Sequence, residues 1–305
     1  MSSVVNLTSV TDIYSFFGLK SSQVFHPLVA VIDFRWVKNF IEDYTRVSAS
    51  FYCLIFKDIN KNNLKYGRKI VDFQDGSLIC LAPNQVLEME QEEEETENMS
   101  GWGLFIHPDL FNGYSLSRKI SSYSFFEYQA NEALHLSGSE KEILSECLSN
   151  IEKELHTNID LHSQAILVSL IEVLLNYCTR FYDRQFITRK SSNTDIVAKF
   201  ERLLKDYFNS GKLKTEGLPS VQYFAGKVFL SAKYFSDLIK RETGKNAKEL
   251  IQYQLIEYAK ENLLTSEASV SEIAYNLGFE YPQYFSRLFK LKTGMTPLEF
   301  RNSFN

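Results

Sequence analysis

The sequence predicts an α+β protein in two parts, a strand-rich portion that gives way to helices and an all-helical portion after it. Three observations predict this. Short strand-like segments recur through residues 24–107, helical periodicity replaces them after Pro108, and a segment near the carboxy end repeats an earlier one at a spacing of 50. The 305 residues are too many for one ordinary domain and suit two. Apolar residues make up 44% and charged residues 23%, the balance of a folded chain with sizeable cores.

The strand-like segments are VFHPLVAVIDF (24–34), SFYCLIFKDI (50–59), GRKIVDF (67–73), SLICLAP (77–83) and WGLFIHP (102–108). Each is short, rich in β-branched and aromatic residues, and bounded by Asn, Gly, Asp or Lys. Their spacing predicts an antiparallel sheet or barrel. Residues 88–97, EMEQEEEETE, lie between two of them and are expected to form a solvated hairpin loop. Adjacent glutamates lack the turn glycine and alternating ligands of a calcium loop.

Ser139 with Glu142 has the spacing of a capping box, and a helix is expected from there through Leu155. A second helix starts at Asn158 or Asp160 and reaches Phe181 or Tyr182. It is apolar around most of its circumference, so it needs covering on two sides, one by its own domain and the other open to a second subunit. Gln164, Glu172 and Asn176 interrupt it, which reads as a buried or interfacial helix and not a membrane span. Residues 184–194, RQFITRKSSNT, are polar and basic and read as a linker.

Several function classes are disfavoured. Cys53, Cys80, Cys147 and Cys178 are far apart, in apolar runs, with no CxxC pair, as expected of buried thiols in a reducing cytoplasm. The opening MSSVVNLTSV has no basic region followed by an apolar core, so no signal peptide is expected. Of His26, His107, His135, His156 and His162, only the first two fall among the strands, and no HxH pair occurs. A metal centre needs two or three His with a carboxylate at fixed spacing, so neither metal, cofactor nor catalysis is expected.

The net charge of −5 excludes a wholly basic nucleic-acid binder, but it hides an asymmetry. Residues 195–305 hold 16 Lys+Arg against 13 Asp+Glu, leaving the remainder acidic. That balance fits a DNA-binding module joined to something else.

The repeat sharpens this. SAKYFSDLIKRETG (231–244) aligns with YPQYFSRLFKLKTG (281–294), with seven identical positions: Tyr234/Tyr284, Phe235/Phe285, Ser236/Ser286, Leu238/Leu288, Lys240/Lys290, Thr243/Thr293 and Gly244/Gly294. Upstream, FAGKVFLS (224–231) parallels IAYNLGFE (273–280), one residue different in length across the turn. Each copy predicts a short helix with a small residue (Ala225 or Ala274), a tight turn, and a second helix ended by glycine. Only the later copy has a turn glycine, Gly278, so the first turn is expected to be softer.

The second helix of each copy has an apolar side and a polar side. The polar side holds Lys233, Ser236, Asp237 and Lys240 in the first copy, and Gln283, Ser286, Arg287 and Lys290 in the second, all at i, i+3, i+4, i+7. A major groove accepts such a face. Any one such helix has a plain solvated face as its commoner explanation; two copies sharing core, turn and polar face make coincidence improbable. Between the copies, 246–264 predicts one continuous helix, a rod between two reading helices. Successive major grooves on one side of DNA lie about 34 Å apart, so a rigid rod lets one chain read adjacent turns. Residues 196–208 predict an amphipathic entry helix.

IAYNLGFEYPQYFSRLFKLKTGMTPLEFR (273–301) resembles the signature of the AraC/XylS family of bacterial transcription regulators: an Ile-Ala pair, Gly-Phe, Tyr-Phe-Ser, Phe-Lys, Gly, Thr-Pro and a late Arg. The resemblance covers about 195–305. The first copy departs from it at Gly226 to Phe229 and at Asp237, where the family often has Arg. The resemblance implies a linker at 184–194 and a tandem helix-turn-helix domain at 195–305. Before them, at 1–183, it implies a regulatory domain: a cupin-like β-barrel at about 24–107 and dimerising helices at about 139–183. It implies a cytoplasmic regulator, an activator, whose partners are double-stranded DNA, RNA polymerase and a second copy of the chain, with no membrane partner. Three readings of the first domain stay open: a small-molecule effector in an aromatic-lined pocket, dimerisation and polymerase contact without a ligand, or a protein partner at the acidic run. Trp36, Phe51, Tyr52, Phe56, Trp102 and Phe105 are pocket candidates, and at strand spacing equally candidates for ordinary core.

Overall fold

A computed structural model describes residues 4–20, 24–37, 44–58, 64–66, 69–71, 76–90, 100–129 and 132–304. The chain divides into two compact units, Met1–Thr188 and Arg189–Asn305.

In the first unit, β1 (Val4–Leu7) leads through a Ser9–Asp12 capping box into α1 (Val10–Phe16). The strands then run β2 (Val29–Asp33), β3 (Tyr44–Ala49), β4 (Tyr52–Lys57), β5 (Leu64–Tyr66), β6 (Lys69–Val71), β7 (Ser77–Leu81), β8 (Val86–Glu90) and β9 (Gly101–Ile106). Short helical turns and α2 (Leu116–Lys119) follow, then β10 (Leu134–His135), α3 (Gly138–Leu155) and α4 (Ser163–Thr188).

Among the described residues the strands form no closed barrel. They make a five-stranded sheet in the order β10-β7-β4-β9-β2, a three-stranded sheet β1-β3-β8 and the pair β5-β6. The expected antiparallel pairing is present, but β1 runs parallel to β3. One core joins the two larger sheets and α1, with Leu7, Val10, Ile13, Val47, Ile55, Ile79 and Phe105 all buried. The other face of the larger sheet is buried too. Leu54, Leu78 and Leu104 are 0% exposed, and Tyr52 packs on Phe126 with ring centroids 4.8 Å apart. A sheet covered on both faces loses the alternation of polar and apolar residues, which is why β7 carries the unbroken apolar run LICL after Ser77.

Several expectations are corrected. The acidic run is not simply a loop: Glu88 and Glu90 belong to β8, and residues 91–97 lie outside the described residues. The capping box of α3 is Ser137 with Glu140, not Ser139 with Glu142. Ser137 accepts from the Glu140 N–H, and the Glu140 carboxylate accepts from the Ser137 N–H. Helix α4 begins later and ends later than expected. No linker loop occupies 184–194, because α4 runs to Thr188 and the next helix starts at Lys190. Polar side chains do not end a helix when most of its surface faces water. Asn193 in this stretch is buried and donates to Glu242.

By length and composition alone α4 is apolar enough to cross a membrane. One side of it, including Leu167, Ile171, Leu174, Leu175 and Cys178, is buried in the first unit. Its end is tied to β10 by Gln185, which accepts from the His135 N–H at 2.8 Å and donates to the Ala133 carbonyl at 3.1 Å. Arg184 forks onto Glu140 at 3.0 and 2.6 Å.

The second unit is helical throughout: α5 (Lys190–Asn209), α6 (Lys212–Glu216), α7 (Val221–Lys227), α8 (Ala232–Thr243), α9 (Ala247–Thr265), α10 (Val270–Asn276), α11 (Pro282–Thr293) and α12 (Pro297–Asn302). Its core is aromatic. Phe200 of α5 meets Phe224 and Phe235 edge-on at 5.2 and 5.1 Å, and Phe285, Phe289 and Phe300 form a second cluster.

Candidate nucleic-acid interface

The two copies are α7-turn-α8 and α10-turn-α11. Ser220 caps α7, and a Ser269–Glu272 box caps α10. In that box the Ser269 N–H holds the Glu272 carboxyl below its usual range. Both turns close with the same hydrogen bond. The Leu230 N–H donates to the Ala225 carbonyl at 3.0 Å, and the Phe279 N–H to the Ala274 carbonyl at 3.0 Å. That six-to-one bond requires a left-handed residue just before the donor. Gly278 supplies it at φ 84, and Phe229 supplies it in the first copy at φ 61. The first turn is therefore not softer; it has the same geometry, made by a bulky residue in a region that glycine favours.

Both second helices end on left-handed glycines, Gly244 at φ 76 and Gly294 at φ 81. The likeness continues past them. Thr243 donates to Ile239, and Thr293 to Phe289, each at 2.8 Å. Capping boxes Asn246–Glu249 and Thr296–Glu299 then open α9 and α12. The repeat is thus three helices long, although few residues are identical beyond the glycines.

The sequence-predicted residues fall on one face of each second helix. On α11, Gln283, Arg287 and Lys290 are exposed and Ser286 is half-buried; on α8, Lys240 is exposed while Lys233, Ser236 and Asp237 are half-buried. Core residues Phe235, Leu238, Phe285 and Phe289 lie elsewhere on these helices, all 0% exposed. The α8 N-terminus is capped by Ser231, whereas α11 begins on Pro282 with no side-chain cap.

Residues 224–303 match the family model described as a helix-turn-helix domain. The transcriptional regulatory protein YesN of Bacillus subtilis (strain 168) is 34% identical over 110 residues, covering 35% of this chain and 28% of that protein. The arabinose operon regulatory protein of Salmonella typhimurium is 36% identical over 77 residues, covering 25% of this chain and 27% of that one. The carboxy-terminal unit contains an AraC-type helix-turn-helix domain. Among solved structures, the C-terminal domain of AraT, a response regulator from Geobacillus stearothermophilus, is 28% identical; the match covers 35% of this chain and 84% of that one, with a TM-score of 0.32. The chain thus spans less than a third of the length of either curated relative named.

Within the AraC-type domain, the late Arg301 is not on a reading face. Its Nε donates to the Leu263 carbonyl at 2.9 Å and its Nη2 to the Ala268 carbonyl at 2.7 Å, which ties α12 to the end of α9. Replacing Arg301 with alanine is expected to destabilise the domain by about 1–2 kcal/mol, because half-buried carbonyls lose a charged donor. Urea unfolding checks this; an unmoved midpoint would assign Arg301 to the surface alone. The sequence reading missed α6, whose flanking Gly211 and Gly217 were the available signal, and the left-handed Phe229, which carried no signal. Among the described residues no group of three or more His, Cys, Asp or Glu is placed to hold a metal.

The amino-terminal pocket candidates scatter. Trp36 is 71% exposed, and Tyr52, Phe56 and Trp102 lie away from the space between the sheets. That space measures about 50 Å³ and is lined mostly by apolar residues, including Phe16, Phe17, Val47 and Phe105, with Gln85 as a polar member.

Proposed function

We propose that this chain is a sequence-specific DNA-binding transcription regulator that reads two adjacent major grooves with α8 and α11. The observation that carries this is the pair of equivalent helix-turn-helix units, alike in the serine caps of their first helices, in their turns and in their glycine ends, each with a polar face at the same register. On α11, Arg287 pairs with a guanine edge and Gln283 with adenine. Ser236 and Ser286 meet either base edges or backbone. Lys233, Lys240 and Lys290 meet phosphate. Asp237 accepts from cytosine N4 or repels phosphate, so the first copy contributes a different preference. The test is duplex binding across a salt series. A steep inverse slope is expected, and Lys290→Ala should shrink it by about 0.9. A salt-independent or absent interaction would sink the reading.

The amino-terminal unit supports a regulatory and dimerising role, and its two facing sheets are consistent with a cupin-like ancestry. Ile166, Leu170, Val173 and Tyr177 form a stripe on α4 at spacings of four, three and four; Ile166 and Val173 are exposed, 42% and 48%. That is the spacing of a helix-to-helix seam, and we assign it to a second copy. Val173→Glu is expected to halve the mass seen by sedimentation at micromolar concentration, with the unfolding midpoint unchanged. A mass that stays put would remove α4 as the seam. The small apolar space favours control through dimerisation and polymerase contact, as an activator in the cytoplasm, over control by a polar effector. A small apolar effector is the second reading.

A further inference from the structure

We infer that α6 is a brace that fixes the angle between the two helix-turn-helix copies, with Gly217, Gly278 and Tyr207 as its positioning residues. This rests on the DNA reading above and adds to it the element that sets half-site spacing.

The helix α9 joins the copies and packs on both. A rod holds two bodies at a fixed separation, but it resists rotation about its own axis only through the contacts along it. A contact off that axis locks the angle. The end of α6 makes one. Although it precedes the first copy in the chain, it packs against α10 of the second. The approach is backbone to backbone: a Cβ placed on Gly278 would lie 2.8 Å from the Gly217 Cα and 2.8 Å from the Leu213 carbonyl oxygen. Gly278 is the turn residue that leads into the reading helix α11, so what holds Gly278 also orients α11.

The same segment is anchored on α5, the helix on which the first copy packs. Gly217 sits at φ 79 and ψ −161, a conformation essentially restricted to glycine. There its carbonyl accepts from the Tyr207 hydroxyl at 3.0 Å. Tyr207 is buried in α5, the helix that packs on α7 and α8. Leu213, also buried, holds α6 down between. The path α5, Tyr207, Gly217, Gly278 therefore joins the copies independently of α9.

Spacing on DNA is also an angle. One base pair along the duplex moves a half-site by about 3.4 Å and turns it by about 35°. A locked angle between α8 and α11 then makes binding sensitive to one base pair inserted between half-sites, and a loosened brace makes it tolerant.

The test uses the full chain and duplexes that the wild type selects from random sequence, rebuilt with one base pair inserted or removed between the half-sites. Wild type should lose about tenfold in affinity for either change. Tyr207→Phe keeps the ring and removes the hydroxyl, and Gly217→Ala strains the anchor. For each, the loss should shrink to less than about threefold. Helix content by circular dichroism accompanies each variant, and Tyr207→Phe decides if Gly217→Ala does not fold. Variants that keep the wild-type spacing profile, whatever their overall affinity, would overturn the brace. So would a wild type that binds specifically but is indifferent to spacing. A wild type with no sequence-specific affinity would overturn the DNA reading, and the brace with it.

Discussion

Gly278→Ala is expected to destabilise the AraC-type domain by about 2–5 kcal/mol, the sum of a backbone cost and a packing cost. The first copy helps to separate the two. Phe229 holds the same left-handed conformation, is 67% exposed as a residue and has Lys199 Nζ 5.9 Å from its ring centroid. A side chain is thus tolerated at that φ where there is room, for about 1–2 kcal/mol. At Gly278 there is no room: the new methyl meets the Gly217 backbone and the Leu213 carbonyl, neither of which is a flexible chain end. Relief requires moving α6 or α10, and overpacking of this kind costs about 1–3 kcal/mol. The measurement is urea unfolding by two probes. Trp36 and Trp102 both lie in the amino-terminal unit, so tryptophan fluorescence follows that unit while circular dichroism follows the helices of both. The helical signal should fall at lower urea, with the fluorescence transition moving less. Coincident, unmoved transitions would remove the steric argument.

What was legible in the sequence was local or repeated. The 50-residue repeat exposed both helix-turn-helix units because the same contacts are specified twice, and the glycines after Thr243 and Thr293 marked real helix ends. The start of α3 was ambiguous for a plain reason. SGSEKE contains Ser137–Glu140 and Ser139–Glu142 at identical spacing. The winner is the pair whose glutamate also receives Arg184 from α4. Burial pushes that carboxyl up, but the Arg184 and Ser137 bonds outweigh it and hold it below its usual range. The parallel pairing of β1 with β3, the absence of barrel closure among the described strands, and the packing of α6 on α10 all join residues far apart in the chain. No period or cap encodes such contacts. Phe229 was illegible in another sense, since its residue type argues against the conformation that tertiary structure imposes on it. The site followed the same rule: the polar faces were readable from helical spacing, whereas the brace that sets their angle was not.

Arg287→Ala should weaken binding to the selected duplex by roughly 1–3 kcal/mol and relax preference at a single base pair. The side chain is exposed on α11, one turn along from Gln283. A guanidinium presents two parallel N–H groups that match guanine O6 and N7. Lysine keeps the charge but loses the fork, so Arg287→Lys should retain the salt slope and still lose base preference. That pair of variants separates reading from mere attraction. If Arg287 met only phosphate, lysine would restore affinity and the preferred sequence would not change. Asp237 is the internal comparison, because it occupies the equivalent place on α8 with a carboxylate, which accepts hydrogen bonds where a guanidinium donates them. Asp237→Ala should therefore remove no guanine fork: where the carboxylate accepts from cytosine N4, preference at that one pair relaxes, and where it repels phosphate, affinity rises uniformly across sequences. Selection of preferred duplexes by each variant checks all three. If Arg287→Ala left every base preference intact, Arg287 would read no base and sequence choice would rest on Gln283 or on α8.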